Sequence, residues 1–340
     1  MTQRWVVLTE PLKPPFDVTR SVELPILERV GADLLVAETP EAWRDAAASA
    51  DAVLHWRMPI GPEEIARLTR CRVMVHYGVG VDRIDFTGAA AAGIYVANVP
   101  RYGVSEVADH AMALLLASVR NIRRLDAGMR RGEWGVQGVR PVVRIRGRTL
   151  GIIGLGNIGS AVACRAAGFG LNILAYDPYV PDDHFRDLGV TRADLPELLE
   201  SSDFLTVHVP LTEATWGLVG AAEIARMKPG AYLVNTSRGP VIDEVALLAA
   251  ITAGQIAGAG LDVFSQEPLA MDSPLLQDDR VIVTPHAAFF AEESIDDMQT
   301  GAVEQVAQAL AGRRPSDVAQ LPGVSWEIAD QRWQFDAAHG

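Results

Sequence analysis

The chain has 340 residues, of which 49% are hydrophobic and 21% charged, and a formal net charge of −13 at pH 7. This length predicts two domains rather than one hydrophobic core, and the negative charge argues against nucleic acid or an anionic membrane as a partner. Two cysteines without metal-type spacing and no long apolar stretch predict a cytoplasmic protein with no membrane span and no metal site.

Short apolar runs alternate with helix-length segments through the first hundred residues. The runs are RWVVL, DLLVA, ADAVLHW, CRVMVHYG and GIYVANV, and this alternation predicts a parallel α/β sheet. Residues 104–125, VSEVADHAMALLLASVRNIRRL, then predict one long helix, which is apolar around much of its circumference and therefore buried.

A second alternation begins near residue 149. Its six apolar runs are TLGIIGLG, NILAYD, DFLTVHV, AYLVNTS, AGAGLDVF and DRVIVTP, the number of strands in a full dinucleotide-binding sheet. The segment AEESIDDMQTGAVEQVAQALAG predicts one amphipathic helix, and the polar tail after it carries weak structural signals.

The motif GLGNIG contributes Gly154, Gly156 and Gly159 between a predicted strand and a predicted helix. In that context glycine allows a tight turn and a close approach of the backbone to a pyrophosphate. Asn157 and Ile158 would offer N–H groups at the helix N-terminus. Asp177 lies 18 residues after Gly159 at the end of the next strand, where a carboxylate can bind ribose hydroxyls and repel a 2′-phosphate. These residues predict NAD as the cofactor, with a turn residue before Pro178 as the alternative for Asp177.

One unusual polar residue follows each of the last three predicted strands: Arg238 in LVNTSRG, Glu267 in LDVFSQEP and His286 in VTPHAAF. Carboxyl ends of strands in a doubly wound sheet face the ligand, so these side chains should converge. Singly, each has a structural interpretation, as a surface arginine, a turn glutamate or a core histidine. Together they favour catalysis.

The ordered motifs GVGVDRID, NVPRYGVSEVADHA, GLGNIG, AYDPY, VHVPLT, VNTSRGPVIDE, AGAGLDVF and TPHAA resemble the D-isomer-specific 2-hydroxy acid dehydrogenase family. Within it, YDPYVPD, DSPLL and HAAFFAEES are most similar to the branch of the C-terminal-binding proteins. The resemblance implies an NAD-binding Rossmann domain, residues 101–289, inserted into a flavodoxin-like substrate domain formed by residues 1–100 and 290–340.

The resemblance also implies that Arg238, Glu267 and His286 form the catalytic set, and their chemistry agrees. His286 would exchange the proton, since an ordinary imidazole titrates near neutral pH. Glu267 would stabilise the imidazolium, and Arg238 would bind the substrate carboxylate and polarise its carbonyl. The expected reaction interconverts a 2-oxo acid and its (R)-2-hydroxy acid by hydride transfer.

Supporting roles follow from the same resemblance. Further cofactor contacts are expected from Val209, Pro210, Thr236, Ser237 and Asp262, with strand-end packing as the alternative for Val209 and Pro210.

The substrate carboxylate is expected at the backbone N–H groups of Val79 and Gly80, unless these residues form only a tight turn. His76 stands where relatives often have arginine, and either lines the pocket or caps its strand. Arg57 could supply the missing charge or be a solvated loop residue, and Phe289 forms either a pocket wall or a packing contact.

Two other functions stay open at this point. Phosphite and formate dehydrogenases have related architectures, and an NAD(H)-sensing interaction protein would belong to the corepressor branch. The apolar 104–135 segment also suggests a homodimer interface.

Overall fold

The computed structural model describes residues 3–13, 16, 20–320 and 323–333. The chain folds into two compact units, one of Met1–Gly103 with Ala291–Gly340 and one of Val104–Phe290. The strands are β1 (Arg4–Leu8), β2 (Ala32–Val36), β3 (Ala52–His55), β4 (Val73–His76), β5 (Tyr95–Ala97), β6 (Thr149–Ile153), β7 (Asn172–Tyr176), β8 (Thr191–Arg192), β9 (Phe204–Val207), β10 (Ala231–Asn235), β11 (Ile256–Leu261) and β12 (Val281–Val283).

The helices lie between these strands and after the last one. They are α1 (Glu23–Glu28), α2 (Pro40–Ala47), α3 (Pro62–Arg67), α4 (Phe86–Ala91), α5 (Val104–Val119), α6 (Ile122–Arg130), α7 (Asn157–Gly168), α8 (Asp182–Asp187), α9 (Leu195–Ser201), α10 (Ala221–Arg226), α11 (Glu244–Thr252), α12 (Pro274–Gln277), α13 (Glu292–Leu310) and α14 (Glu327–Trp333). None of the helices in the described part of the chain is long and apolar enough to span a membrane.

The first unit is built on a parallel five-stranded sheet in the order β2-β1-β3-β4-β5. This is the flavodoxin-like order, and its strands coincide with the five apolar runs of the sequence. The amphipathic segment after residue 291 forms α13 as predicted, and α13 packs against β3 and β4. The polar tail contributes the short helix α14.

The second unit is built on a parallel seven-stranded sheet in the order β12-β11-β10-β9-β6-β7-β8. Counted from β6, this is the doubly wound Rossmann order, in which the order of the parallel strands reverses between β6 and β9. The predicted count of six strands is wrong by one. The additional strand β8 has two exposed residues at the sheet edge, too few to produce an apolar run.

The predicted helix over residues 104–125 is also wrong in one respect, since the chain forms two helices there. Asn121 adopts a left-handed conformation with φ of 53° and separates α5 from α6. A short asparagine side chain tolerates that conformation better than most residues, and it ends the helical geometry locally. α5 is buried as expected, and packs on α7 and on β10 and β11.

Candidate active site

The glycine motif forms a tight turn between β6 and α7. Gly154 has a φ of 91°, and a Cβ there would lie 2.6 Å from the carbonyl oxygen of His208, at the end of β9. A Cβ on Gly159 would lie 2.0 Å from the carbonyl oxygen of Gly154. Only glycine therefore fits at these two positions, and α7 begins at Asn157 with its first N–H groups directed into the turn.

Asp177 follows β7 and faces the glycine turn. One carboxylate oxygen accepts the Leu155 N–H at 2.9 Å, and the other accepts the N–H groups of Tyr179 at 2.9 Å and Val180 at 3.3 Å. The two interpretations of Asp177 are therefore compatible, because it organises its own turn and still has lone pairs to offer ribose hydroxyls. Leu155, Gly156 and Asn157 also line a groove of about 370 Å³ with the start of α8.

Two buried polar atoms lie at the ends of β9 and β10, near the glycine turn. Neither Nδ1 of His208 nor Oγ1 of Thr236 has a hydrogen-bond partner within the described part of the chain. Burial lowers the pKa of His208 to about 3, so its ring is neutral at physiological pH. Val209 and Pro210 follow His208, and Ser237 follows Thr236. Unpaired polar atoms beside a glycine cradle fit a dinucleotide that would supply their partners.

Arg238 lies on a turn after β10 that Asn235 holds in place. The Asn235 side chain donates to the Arg238 carbonyl oxygen at 2.9 Å and accepts from the Ser237 N–H at 2.9 Å and the Ser237 hydroxyl at 2.7 Å. The Arg238 guanidinium donates to the Ser237 carbonyl oxygen at 2.8 Å. Asn235 is 1% exposed, and its role in the site was not predicted from the sequence.

His286 and Glu267 form a direct pair. Nδ1 of His286 lies 2.8 Å from Oε2 of Glu267, and the two side chains are 31% and 26% exposed. The other carboxylate oxygen of Glu267 accepts the Phe264 N–H at 3.1 Å. Because an ionised carboxylate only accepts, Nδ1 carries the hydrogen, and Nε2 is the ring nitrogen that does not face Glu267.

The charge state of Glu267 is set by competing influences. Burial raises the pKa of its carboxyl, but the hydrogen bond and charge of His286 and the Phe264 N–H act in the opposite direction. The charge of Arg238 also lowers it, and the resulting pKa is below the usual range. The three predicted residues therefore influence one another, His286 and Glu267 by contact and Arg238 through its charge.

Asp262 is a fully buried carboxylate that orders the loop of His286. It accepts hydrogen bonds from the Thr284 hydroxyl at 2.6 Å, the Ala287 N–H at 2.9 Å and the Ala288 N–H at 2.9 Å. Its carbonyl oxygen accepts the His286 N–H at 2.7 Å. His286 itself has a φ of 53°, an uncommon conformation outside glycine that this network maintains. From the sequence, Asp262 was expected only to contact the cofactor, and its hydrogen bonds to the loop of His286 were not predicted.

Four of the five predicted substrate residues lie in the first unit. His76 is 8% exposed, and its Nδ1 lies 2.9 Å from Nδ1 of His55. Val79 is 39% exposed, and Gly80 follows it at an intermediate exposure. Arg57 is exposed, with its guanidinium 5.4 Å from the centre of the Trp56 ring.

The fifth, Phe289, lies in the second unit. Its ring packs edge-on against His286 at 6.3 Å between centroids. The substrate roles of all five residues stay predictions. Taken together, a glycine cradle at the switch point of a doubly wound sheet and a histidine–carboxylate pair at neighbouring strand ends define a dinucleotide-dependent oxidoreductase.

Known proteins are similar to this chain in both sequence and fold. Residues 112–288 match the NAD binding domain of the D-isomer specific 2-hydroxyacid dehydrogenases. A glyoxylate reductase from Korarchaeum cryptofilum is 44% identical over 264 residues, which cover 76% of this chain and 79% of that protein. A D-3-phosphoglycerate dehydrogenase from Mycobacterium bovis is 39% identical over 91% of this chain, which spans only 57% of that protein's length. The D-lactate dehydrogenase of Aquifex aeolicus, crystallised with NAD and lactic acid, has a TM-score of 0.80 at 28% identity, covering 90% of this chain and 96% of that one.

The chain belongs to the D-isomer specific 2-hydroxyacid dehydrogenase family. This membership confirms the predicted two-domain α/β fold, the NAD cofactor and the class of enzyme, an NAD-dependent 2-hydroxy acid dehydrogenase.

The narrower resemblance to the C-terminal-binding proteins is wrong, because the similar proteins include a glyoxylate reductase and D-3-phosphoglycerate dehydrogenases, and do not place the chain in that branch. It rested on segments such as DSPLL, of which only the last three residues lie in the four-residue helix α12, and HAAFFAEES, which is partly loop. Segments this short do not separate branches of one family.

Proposed function

We propose that this protein reduces a 2-oxo acid to its (R)-2-hydroxy acid, and catalyses the reverse reaction, with His286 as the general acid and base. The contact between Nδ1 of His286 and Oε2 of Glu267, 2.8 Å long, is the observation that carries the proposal. When bound, NADH supplies the hydride that the carbonyl carbon receives. The glycine turn, the N-terminus of α7 and Asp177 would hold it, with Val209, Pro210, Thr236 and Ser237 as further contacts.

His286 would act through Nε2. During reduction, Nε2–H donates its proton to the carbonyl oxygen as negative charge develops there, and in the reverse direction the neutral nitrogen removes the hydroxyl proton. Glu267 stabilises the imidazolium form and fixes the ring orientation, as its lowered pKa keeps it ionised across the working range. The loop anchored by Asp262 keeps the ring in place.

Arg238 would bind the substrate carboxylate. A planar, permanently charged guanidinium can form two parallel hydrogen bonds to a carboxylate, and it would polarise the adjacent carbonyl. The chain has a net charge of −13, so its average field repels an anionic substrate. The positive charge of Arg238 would offset this repulsion locally. Val79 and Gly80 would add backbone N–H groups to the carboxylate, with His76, Arg57 and Phe289 around the substrate side chain.

The test is a steady-state assay of NADH oxidation with glyoxylate, pyruvate, hydroxypyruvate and phenylpyruvate, and of NAD⁺ reduction with phosphite and formate. We expect turnover of a 2-oxo acid, and its loss in His286→Asn with NADH binding retained. The surface variant Glu200→Gln, which removes an exposed ion pair with Arg226, serves as control. Full kcat in His286→Asn, or turnover of phosphite or formate alone, would overturn the proposal. The similar glyoxylate reductase and D-3-phosphoglycerate dehydrogenases are enzymes, and they do not favour the alternative of a corepressor-like sensor.

We also propose that the protein is a homodimer, and its cytoplasmic location stays a prediction. In the segment that follows α5, Ile122 is 55% exposed, Met129 51%, Trp134 89% and Val136 60%. Apolar side chains exposed together on one segment favour burial against a second copy. Sedimentation analysis of wild type and Trp134→Glu should give a dimer and a weakened dimer, whereas a monomeric wild type would refute this proposal.

A further inference from the structure

A chain of hydrogen bonds joins helix α5 to the loop of His286. Nε2 of His110, on α5, lies 3.0 Å from Oγ1 of Thr284, and the Thr284 hydroxyl donates to Oδ1 of Asp262 at 2.6 Å. The same nitrogen of His110 is 3.7 Å from that carboxylate oxygen. Neither His110 nor Thr284 takes part in the proton exchange assigned to His286, so both side chains need an explanation.

Three elements of the second unit bring these side chains together. Asp262 follows β11 and Thr284 follows β12, which are adjacent parallel strands. α5 lies close to β11 because Gly260 has no side chain, and a Cβ there would be 2.8 Å from Cβ of Leu114. His110 precedes Leu114 by about one helical turn, which places its ring beside the ends of both strands.

The helix that carries His110 is firmly packed. The Arg165 side chain of α7 donates to the Asp109 carboxylate at 2.5 Å and to the Ser105 hydroxyl at 2.9 Å. α5 also packs on β10 and β11, and half of its residues are buried. His110 therefore projects from a packed helix rather than from a loop, as precise positioning of a neighbouring group requires.

The donor in each of these hydrogen bonds follows from the final acceptor. A carboxylate only accepts, and a threonine hydroxyl has a single hydrogen, which is donated to Asp262. Oγ1 of Thr284 must therefore accept from His110, so Nε2 of His110 carries a hydrogen. Both the neutral ring with this tautomer and the imidazolium have that hydrogen, and the arrangement does not depend on the charge of His110.

Asp262 connects the Thr284 hydroxyl to the loop of His286. Its carboxylate accepts the N–H groups of Ala287 and Ala288, both at 2.9 Å, and its carbonyl oxygen accepts the His286 N–H at 2.7 Å. Asp262 is 0% exposed, so solvent does not compete for its oxygens. These contacts maintain the φ of 53° at His286, and whatever fixes the carboxylate also fixes the catalytic loop.

We propose that His110 is a positioning residue for catalysis. Its Nε2–H fixes the Thr284 hydroxyl, and through it the Asp262 carboxylate that keeps His286 in place for proton exchange. Without this donor the Thr284 hydroxyl can rotate away from Asp262, and the loop occupies the reactive geometry for a smaller fraction of the time. The inference rests on the proposed function, in which His286 is the general acid and base.

The experiment measures kcat and KM for reduction of a 2-oxo acid by NADH. His110→Leu removes the donor and should lower kcat about fivefold, the effect of one net hydrogen bond, with a smaller change in KM for NADH. His110→Gln places an amide N–H near the position of Nε2 and should restore most of the lost kcat. Thr252→Val is the control, because that hydroxyl donates to the Leu248 carbonyl oxygen of its own helix.

A double variant tests whether His110 acts through Thr284. Thr284→Val removes the hydroxyl at constant size and should lower kcat at least as far as His110→Leu. His110→Leu combined with Thr284→Val should then have the kcat of Thr284→Val alone. Two losses that multiply would mean that His110 influences the reaction by another route, and would overturn the inference.

Thermal unfolding reports whether each variant folds. If His110→Leu does not fold, His110→Asn takes its place, since the shorter amide stays polar but does not reach Thr284. Wild-type kcat in the variant without the donor, or a glutamine variant as slow as the leucine variant, would overturn the inference and leave the proposed function intact. If wild type reduces no 2-oxo acid, or His286→Asn keeps full kcat, the proposed function is overturned and this inference with it.

Discussion

Replacement of Glu267 by glutamine tests the His286–Glu267 pair most directly. The substitution keeps the size of the side chain but removes its charge. Oε2 accepts from His286 at 2.8 Å and Oε1 accepts from the Phe264 N–H at 3.1 Å, and an amide has only one oxygen for these two donors. Whichever way the amide turns, one hydrogen bond is lost or the histidine takes the other tautomer.

The expected fall in kcat/KM of Glu267→Gln follows from the strength of the hydrogen bond that is lost. A hydrogen bond to a charged group contributes about 1.5–3 kcal/mol, and exposure of the two side chains places this one near the lower end. At about 1.4 kcal/mol for each factor of ten, kcat/KM for 2-oxo acid reduction should fall on the order of tenfold or more. Loss of the anion disfavours the imidazolium, so the pH profile of reduction should move to lower pH.

The assay is a pH profile of kcat/KM for wild type, Glu267→Gln and Glu244→Gln. Glu244 is a matched control because its carboxylate accepts the Ser265 N–H in the same region without contacting His286. Measurements of unfolding as a function of pH also test whether Glu267 stabilises the folded protein in its ionised form. The lowered pKa of Glu267 means that its stabilisation is present above pH 4.5 and is lost as the pH falls through the folded-state value. An unchanged rate and profile in Glu267→Gln would refute the reasoning.

Three further substitutions have clear expected results. Gly159→Ala places a Cβ 2.0 Å from the Gly154 carbonyl oxygen and should cost roughly 1–3 kcal/mol of stability, whereas a Cβ on Gly156 meets no protein atom within 4 Å and should leave the melting temperature near that of wild type; equal melting temperatures of the two variants would contradict this. Both substitutions should weaken NADH binding, because both glycines belong to the turn that would hold the pyrophosphate. Asp177→Ser should raise KM for NADH and increase the NADPH-to-NADH ratio of kcat/KM, and an unchanged ratio would show that the carboxylate does not discriminate. Asp262→Asn removes an acceptor for one of its three hydrogen bonds and should lower kcat and melting temperature together; wild-type kcat would contradict its role in the loop.

The strands were predictable because each contains enough adjacent apolar residues to form a buried run. Val53 and Leu205, for example, are completely buried at the centres of their strands. β8 could not be predicted in this way, since it consists of two exposed residues that pair with the edge strand β7. The break between α5 and α6 at Asn121 was also not predictable, because the hydrophobic pattern on both sides of this left-handed residue is that of a continuous helix.

The residues of the candidate site also fall into two groups, those that a local sequence pattern predicts and those that depend on tertiary contacts. Glycine spacing and polar residues at strand ends could be identified one segment at a time, so His286 and Glu267 were predicted before their contact was known. Asn235 and the His55–His76 pair depend on which neighbouring groups tertiary structure brings together, and no local pattern encodes that.

The left-handed backbone of His286 restricts what can replace it. Most side chains pay about 1–2 kcal/mol in that conformation, while asparagine and aspartate tolerate it and glycine adopts it freely. An alanine scan would therefore combine loss of the imidazole with a distorted loop and overstate the chemical contribution of the ring. The left-handed backbone at position 286 therefore limits which residues can replace His286, whether the change arises in evolution or by design. This limit applies independently of the reaction that the side chain catalyses.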